Sequence, residues 1–252
     1  MLDSFFTLNW TQSISIILVL VLLFLWYKLI SMRWSYKISK PYRWEESVKK
    51  GSVSANLKSL ERSYRDKVRF YTFWLQAQRI SDENILGAFA ELGVYRGNTA
   101  NILHELNPQR QLHLFDTFSG FAEADLKVEL TQDAKYNKQM FEETSVEAVK
   151  AYINGNNNIH FHAGYFPETT ADLPEQPYAF VHLDADLYQP TLSGLQYFYP
   201  RMSAGGVIIV HDYNHNWPGV KKAVDEFLTT IPERLTFMAD WQGSVMIVRD
   251  KH

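Results

Sequence analysis

Hydrophobic positions along this chain follow two regimes. From Ser4 to Tyr27 there is no charged side chain, and the centre of that stretch, Ile14 to Tyr27, reads ISIILVLVLLFLWY. A helix of this length rises about 36 Å, enough to cross a hydrocarbon core of about 30 Å. Trp10 at one end and Trp26 with Tyr27 at the other suit the two membrane interfaces, and Lys28 can snorkel to the headgroups. A secretory signal needs a basic leader and a small-residue cleavage site. Here the leader carries Asp3 and no Lys or Arg, and the run ends in bulky WYKLISMRW. Residues 1–32 are therefore expected to form a transmembrane anchor.

Residues 33–82 change character. Basic and aromatic side chains alternate through Arg33, Trp34, Tyr36, Lys37, Tyr42, Arg43 and Trp44. This reads as a stem, suited to anionic headgroups or simply to solvent. From Ser59 to Ile80 the positions Leu60, Tyr64, Val68, Tyr71 and Leu75 step by three or four, which predicts one helix packed on the front of the next domain.

From residue 83 onward, short apolar runs alternate with helical spacing. Gly87–Val94, Gln111–Phe115, Ile159–His162, Tyr178–Leu183 and Val207–Val210 read as buried strands, and Leu235–Met238 and Ser244–Val248 as closing strands. Gly97–Leu106, Thr191–Tyr199 and Val220–Thr230 read as helices, and Gly120–Tyr152 as a polar, mostly helical stretch. The alternation predicts an α/β domain over residues 83–252, with a parallel sheet and crossover helices.

Composition narrows the classes of function. Hydrophobic residues are 46% and charged residues 21% of 252, which excludes a disordered or fibrous chain. With no cysteine, a disulfide framework, a thiolate nucleophile and a Cys-based metal site are all excluded. A net charge of −3 argues against nucleic acid as the partner. The charge is uneven. Residues 28–50 carry seven basic side chains against Glu45 and Glu46, whereas residues 51–252 hold 18 basic and 25 acidic groups. The positive flank on the carboxyl side of the apolar run orients the amino terminus outward. A single-pass membrane protein with a cytoplasmic catalytic domain is expected.

Candidate chemistry sits where strands end. Glu91, Asp116, Asp184 and the pair His211–Asp212 occupy four such ends, which form the ligand crevice of an open α/β sheet. The first loop, E-L-G-V-Y-R-G-N-T, holds Glu91, Gly93, Tyr95, Gly97 and Asn98, the residues expected to bind a cofactor. Its G-x-x-x-G spacing, with Tyr95 between, lacks the third glycine that seats a dinucleotide pyrophosphate. NAD and FAD are disfavoured, and a donor without a pyrophosphate, such as S-adenosylmethionine, fits better. Asp116 lies 23 residues after Gly93, where a carboxylate can take both ribose hydroxyls. Asp184 and Asp212 can hold a divalent cation, magnesium or manganese, with His211 or Asp186 as ligand or base. His182, His160 and His162 read as packing residues. His215 and Trp217 either border the acceptor pocket or form plain surface.

Four blocks carry a resemblance: FAELGVYRGNTA, LHLFDTFSGF, VHLDADLYQPT and GGVIIVHDYNHNWPGVKKAVDEF, in this order. Together they resemble the macrocin O-methyltransferase family, over roughly Leu60 to Val248, with the apolar run outside. The resemblance implies a Rossmann-like class I methyltransferase, with a mostly parallel seven-stranded sheet and helices on both faces. It implies S-adenosylmethionine, often with a divalent metal. Glu91, Gly93 and Gly97 would line the methionine end of the cofactor and Asp116 would hold the ribose. Ala163 and Gly164 would lie near the adenine. Asp184 with the pair after the fifth strand would hold the metal. That pair is usually two acids, so His211 changes one ligand in type. The implied activity is O-methylation of a hydroxyl on a sugar or a glycosylated natural product, with Asp184 and His211 as the catalytic residues. The partners are then a small-molecule or glycan acceptor and the membrane, with a homo-oligomer left open.

Two other readings compete. Asp184-Ala-Asp186 matches the D-x-D of metal-using glycosyltransferases, although the glycine loop and Asp116 are not expected there. The His at a metal position also suits a non-catalytic, S-adenosylmethionine-binding scaffold at the membrane.

Overall fold

A computed structural model of the chain describes residues 9–35, 40–129 and 136–250, the side chains of 32–35 excepted. Asp3 and the start of the uncharged run, Tyr36 and Lys37 of the stem, and residues 130–135 of the polar stretch lie outside the described residues. The chain divides into two compact units, Met1–Lys49 and Lys50–His252.

The first unit holds α1 (Trp10–Ser35) and α2 (Tyr42–Lys49). Within α1, the 22 residues Trp10–Ser31 are apolar enough and long enough to cross a membrane. The apolar side chains are exposed along it, Leu18 at 60% and Phe24 at 58%. A helix that is apolar all round is unlike the one-sided helices that cover a soluble core.

The second unit opens with α3 (Ala55–Ser63) and α4 (Lys67–Asp82), where the spacing predicts one helix. Tyr64 turns extended and ends α3, and Asp66 starts α4 by accepting from Arg69 N (3.0 Å). An N-cap side chain of this kind satisfies an orphan amide of the first turn. The apolar period carries across the break, so periodicity alone conceals it.

There follow β1 (Ala88–Leu92), α5 (Asn98–Leu106), β2 (Leu112–Asp116), α6 (Glu123–Glu129), α7 (Val146–Ile153), β3 (Ile159–Ala163), β4 (Tyr178–Leu183), α8 (Tyr188–Phe198), β5 (Met202–Val210), α9 (Pro218–Leu228), β6 (Thr236–Phe237) and β7 (Val245–Val248). The sheet order is β3-β2-β1-β4-β5-β7-β6. The first five strands are parallel and β7 runs antiparallel to both neighbours. This is the mostly parallel seven-stranded sheet that the resemblance implied. Several boundaries move, two of them for a plain local reason. The helix α8 starts three residues early because Pro190 is tolerated in a first turn. The strand β5 runs through Gly205 and Gly206, at an irregular register against β4, instead of starting after them.

Successive strand residues face opposite sides of the sheet. Ala88, Ala90, Leu92, Leu183 and Val210 pack with Leu195 and Phe198 of α8 and Val220 and Val224 of α9. On the other side Phe89 and Phe180 meet each other, and Phe180 meets Phe73 of α4 edge to face at 5.7 Å. Glu91 and His182 share that second side. The strand order reverses between β1 and β4, which is where an open α/β sheet forms its crevice.

Candidate functional site

A cavity of about 370 Å³ opens at the carboxyl ends of β1, β2, β4 and β5. Of the residues singled out from the sequence, Glu91, Gly93, Tyr95, Asn98, Asp116, Gly164, Asp184, His211 and Asp212 line it, as do Asp186 and Trp217. Gly97, Ala163 and His215 do not. Gly97 has φ +79, and a Cβ there would lie 2.7 Å from Val149 Cγ1, so this glycine answers to packing against α7.

The loops around the cavity hold strained backbone. Tyr95, Phe118, Asp186 and Asp212 have φ of 49°, 52°, 60° and 61°, and each follows a different strand of the rim. Left-handed residues that are not glycine cost about 1–3 kcal/mol each and persist where surrounding structure over-determines them. Gly93 shows how tightly the loops cross, since a Cβ there would sit 2.0 Å from the backbone oxygen of Asp184.

Asp116 ties two of these loops together. Its Oδ2 accepts from Val94 N (2.7 Å) and Tyr95 N (2.9 Å), and its Oδ1 accepts from Phe118 N (2.6 Å). The Thr117 hydroxyl, 3.4 Å from Oδ1, donates its one hydrogen to Gly120 O at 2.6 Å. One lone pair on Oδ1 is therefore left. The sequence suggested that Asp116 takes ribose hydroxyls; in the structure the carboxylate also pins the glycine loop.

Glu91 is 1% exposed, and its Oε1 is hydrogen-bonded to His182 Nδ1 at 2.9 Å. Burial pushes its carboxyl well above the carboxylate range, and the Asp184 and Asp116 charges push the same way. Burial drives the His182 imidazole down to about 3. His182, expected to be a packing residue, thus also orients Glu91. The register Glu91↔His182 between β1 and β4 brings them together.

Beside this pair lies a triangle of Asp184, His211 and Asp212. His211 Nδ1 is 2.6 Å from Asp184 Oδ1 and 3.0 Å from Asp212 Oδ2, off the hydrogen-bond line of either. Burial opposes charge on His211, but Asp184 and Asp212 outweigh it and hold the imidazole up to about 10. Burial likewise opposes charge on Asp184, and His211 outweighs it and holds the carboxyl well below the carboxylate range. Burial pushes Asp186 well above that range, reinforced by the Asp184 and Asp212 charges.

These residues fit a divalent cation by their donor chemistry. One atom each from Asp184, His211 and Asp212 lies within 4.8 Å of the others. Two carboxylates with one imidazole suit manganese or iron better than magnesium, which prefers an all-oxygen set. The cavity also fits an adenosyl amino acid in size, by the usual range of about 300–1,000 Å³ for small-molecule sites. Of the ten buried side-chain polar atoms without a hydrogen-bond partner among the described residues, six belong to Arg69, Glu91, His182 and His211. Buried polar groups are otherwise almost always paired, so their concentration here marks a place for a ligand.

Sequence reasoning missed Arg69 and Tyr64, which reach the cavity from α4 and the break before it, and the aromatic wall of Phe121 and Phe141. Phe141 stands edge to face with Tyr95 (5.1 Å) and with Phe121 (5.3 Å), and Trp217 stacks on Tyr136 at 4.5 Å. These aromatics come from separate loops with no shared period.

Topology and site together define a Rossmann-like methyltransferase fold. The solved O-methyltransferase NovP superposes with a TM-score of 0.60 at 25% identity, over 73% of this chain and 81% of that one. A calicheamicin methyltransferase shares the fold at a TM-score of 0.61 and 20% identity, over 83% and 87%. The profile of the macrocin-O-methyltransferase (TylF) family matches residues 44–245, and the chain belongs to that family. A demethyldecarbamoylnovobiocin O-methyltransferase of Streptomyces niveus is 28% identical over 57% of this chain and 59% of its own length. A mycinamicin III 3''-O-methyltransferase of Micromonospora griseorubida is 28% identical over 58% and 61%. The chain thus spans about three fifths of the length of the curated relatives it matches.

Proposed function

We propose that the protein is an S-adenosylmethionine-dependent O-methyltransferase acting on a hydroxyl of a sugar or a glycosylated natural product. The observation that carries this is the acid-rimmed cavity at the β1/β4 reversal, with Glu91 and Asp116 at the ends of β1 and β2 and Asp184 with His211 at the ends of β4 and β5. A relative whose name specifies a rhamnosyl-tetracenomycin acceptor, beside those named for novobiocin and mycinamicin compounds, supports the acceptor class. The aromatic side chains of Phe121, Phe141 and Trp217 suit the apolar faces of such rings.

The donor methyl is already activated on a sulfonium, so the protein must align an acceptor oxygen and receive one proton. Asp116 takes one ribose hydroxyl and keeps the loop Gly93–Asn98 in place. Asp184, held ionised by His211, accepts the hydrogen bond of the acceptor hydroxyl. As the oxygen bonds to the methyl it becomes strongly acidic, so even a weakly basic carboxylate can take the proton. Asp186, whose carboxyl is pushed up by burial and then by the Asp184 and Asp212 charges, is suited to donate to a second acceptor oxygen. Asp184, His211 and Asp212 would hold a divalent cation, which when bound would lower the pKa of the acceptor hydroxyl.

The helix α1 serves in this reading as a membrane anchor, and the basic residues 28–50 support a catalytic unit on the cytosolic side. Calorimetry with S-adenosylhomocysteine and with nucleotide sugars tests the donor. Binding of the first alone is expected, followed by methyl transfer from labelled S-adenosylmethionine to a glycosylated acceptor. Binding of a nucleotide sugar alone would replace this reading with a glycosyltransferase, and donor binding without transfer to any of a broad acceptor panel would favour a scaffold.

A further inference from the structure

Arg69 is the polar group the proposed reaction leaves unexplained. Its side chain is 8% exposed and lines the cavity, yet Nε and Nη1 have no hydrogen-bond partner. Its guanidinium rests over the Tyr64 ring, 5.5 Å from the centroid, and the Tyr64 hydroxyl lies 3.4 Å from Thr99 Oγ1 in the first turn of α5. A cation so placed sits beside the β1–α5 loop. In the same cavity wall Glu91 Oε2 is buried and unpartnered, while Oε1 is taken by His182. The site thus presents unmet buried donors on one residue and an unmet buried acceptor on another.

Leaving buried donors and acceptors unmet is costly, so such groups are kept where a ligand completes them. A sugar hydroxyl is neutral and offers no match for the pair. Adenosine carries neither charge. An α-amino acid carries both, an ammonium and a carboxylate on one carbon. We propose that Arg69 binds the α-carboxylate of the donor's methionyl end while Glu91 takes its α-ammonium, so that α4 completes a zwitterion clamp. This rests on the donor reading above, and it gives the leading helix a binding role in addition to its packing against Phe180. Charge-assisted bonds from a guanidinium to a carboxylate are among the stronger polar contacts, and the donors are already desolvated.

The test compares S-adenosylhomocysteine with its decarboxylated analogue, by calorimetry on the full chain and on Arg69→Met. The wild type is expected to prefer the carboxylate form by about ten- to a hundredfold, and Arg69→Met to bind the two within about threefold. The preference is a ratio taken within each protein, so a general loss of stability does not imitate it. Should Arg69→Met fail to fold, Arg69→Lys, which keeps the charge without the planar fork, is expected to retain only part of the preference. A wild-type preference that survives in the variant would overturn the clamp, as would a wild type that binds both analogues equally. A variant that keeps the donor preference but shows a raised KM for an anionic acceptor would assign Arg69 to the acceptor and also overturn it. A wild type that binds neither analogue would bring down the donor reading itself, a separate outcome.

Discussion

Two groups of histidines occupy one sheet and are driven in opposite directions. At the rim, His211 is 4% exposed and its imidazole is held up to about 10. Near the other edge, His113 of β2 is 5% exposed and is driven down to about 4, by burial first and then by His162 and His160 of β3. His113 and His162 face each other, Nδ1 to Nε2 at 3.0 Å, with rings almost coplanar. Burial is nearly equal and opposes charge in both places. The difference lies in the neighbours: two carboxylates around one ring, imidazoles around the other. A buried histidine takes its chemistry from its company, and only the first group lines the cavity.

The comparison breaks most visibly in activity. Asp184→Asn removes the group that receives the proton and leaves His211 with one carboxylate, so methyl transfer is expected to fall by about 10²- to 10⁴-fold. His113→Leu is expected to leave the rate within about twofold, because His113 does not reach the cavity. Equal losses from the two substitutions in a steady-state assay would erase the distinction. Chelation followed by manganese addition, run on the wild type, asks whether the Asp184–His211–Asp212 triangle holds a cation, and restored turnover is the expected result.

Next in size is acid stability. Unfolded imidazoles take up protons near pH 6.5, whereas folded His113 does so only near 4. Between these values the unfolded chain binds more protons, so stability falls as pH falls; above about pH 7 the group contributes no slope. The loss reaches up to about 3 kcal/mol for His113 alone. Urea unfolding at pH 7 and pH 4.5 should show a clearly smaller drop for His113→Leu than for the wild type. Identical slopes would mean that the imidazole cluster is not held neutral.

His182 stands between the two groups, neutral like His113 yet placed at the site. Replacing it by Phe leaves both Glu91 oxygens without a partner, at a cost of about 1–3 kcal/mol. Weaker donor binding should accompany the lower stability, because Glu91 loses its orientation. A drop in stability with unchanged affinity for S-adenosylhomocysteine would confine His182 to the core.

Much of the rim was legible in the sequence, and for a physical reason. Buried strands are continuous apolar runs, so a polar residue at the end of one, such as Asp116 or Asp184, announces a crevice. His182 was not legible, because its partnership with Glu91 depends on the register between β1 and β4, which no local pattern encodes. Arg69 was hidden further. It sits in an amphipathic helix where a basic residue ordinarily faces solvent, and only the packing of α4 on the Glu91 side of the sheet turns it inward. The break at Tyr64–Asp66 was masked by an apolar period that continues through both helices. Gly97 adds a reason the sequence did not show: a Cβ there would meet Val149 of α7.

The smallest effect tests the neighbours themselves. His162→Gln keeps an amide opposite His113 Nδ1 but removes a ring that can charge. Burial, then His160, lowers the His162 imidazole as well, so its loss takes away part of the acid-dependent slope. It also takes away the largest charged neighbour of His113, whose imidazole should then titrate nearer to 6.5. Both changes act in one direction, toward a shallower loss of stability on acidification. Because His162 is partly exposed and solvent screens it, the gain at pH 4.5 is expected to stay under about 1 kcal/mol. The useful reading is comparative. If burial alone set the His113 shift, its imidazole in His162→Gln, followed by NMR, would still titrate near 4, and the contrast with His211 would reduce to geometry without charge.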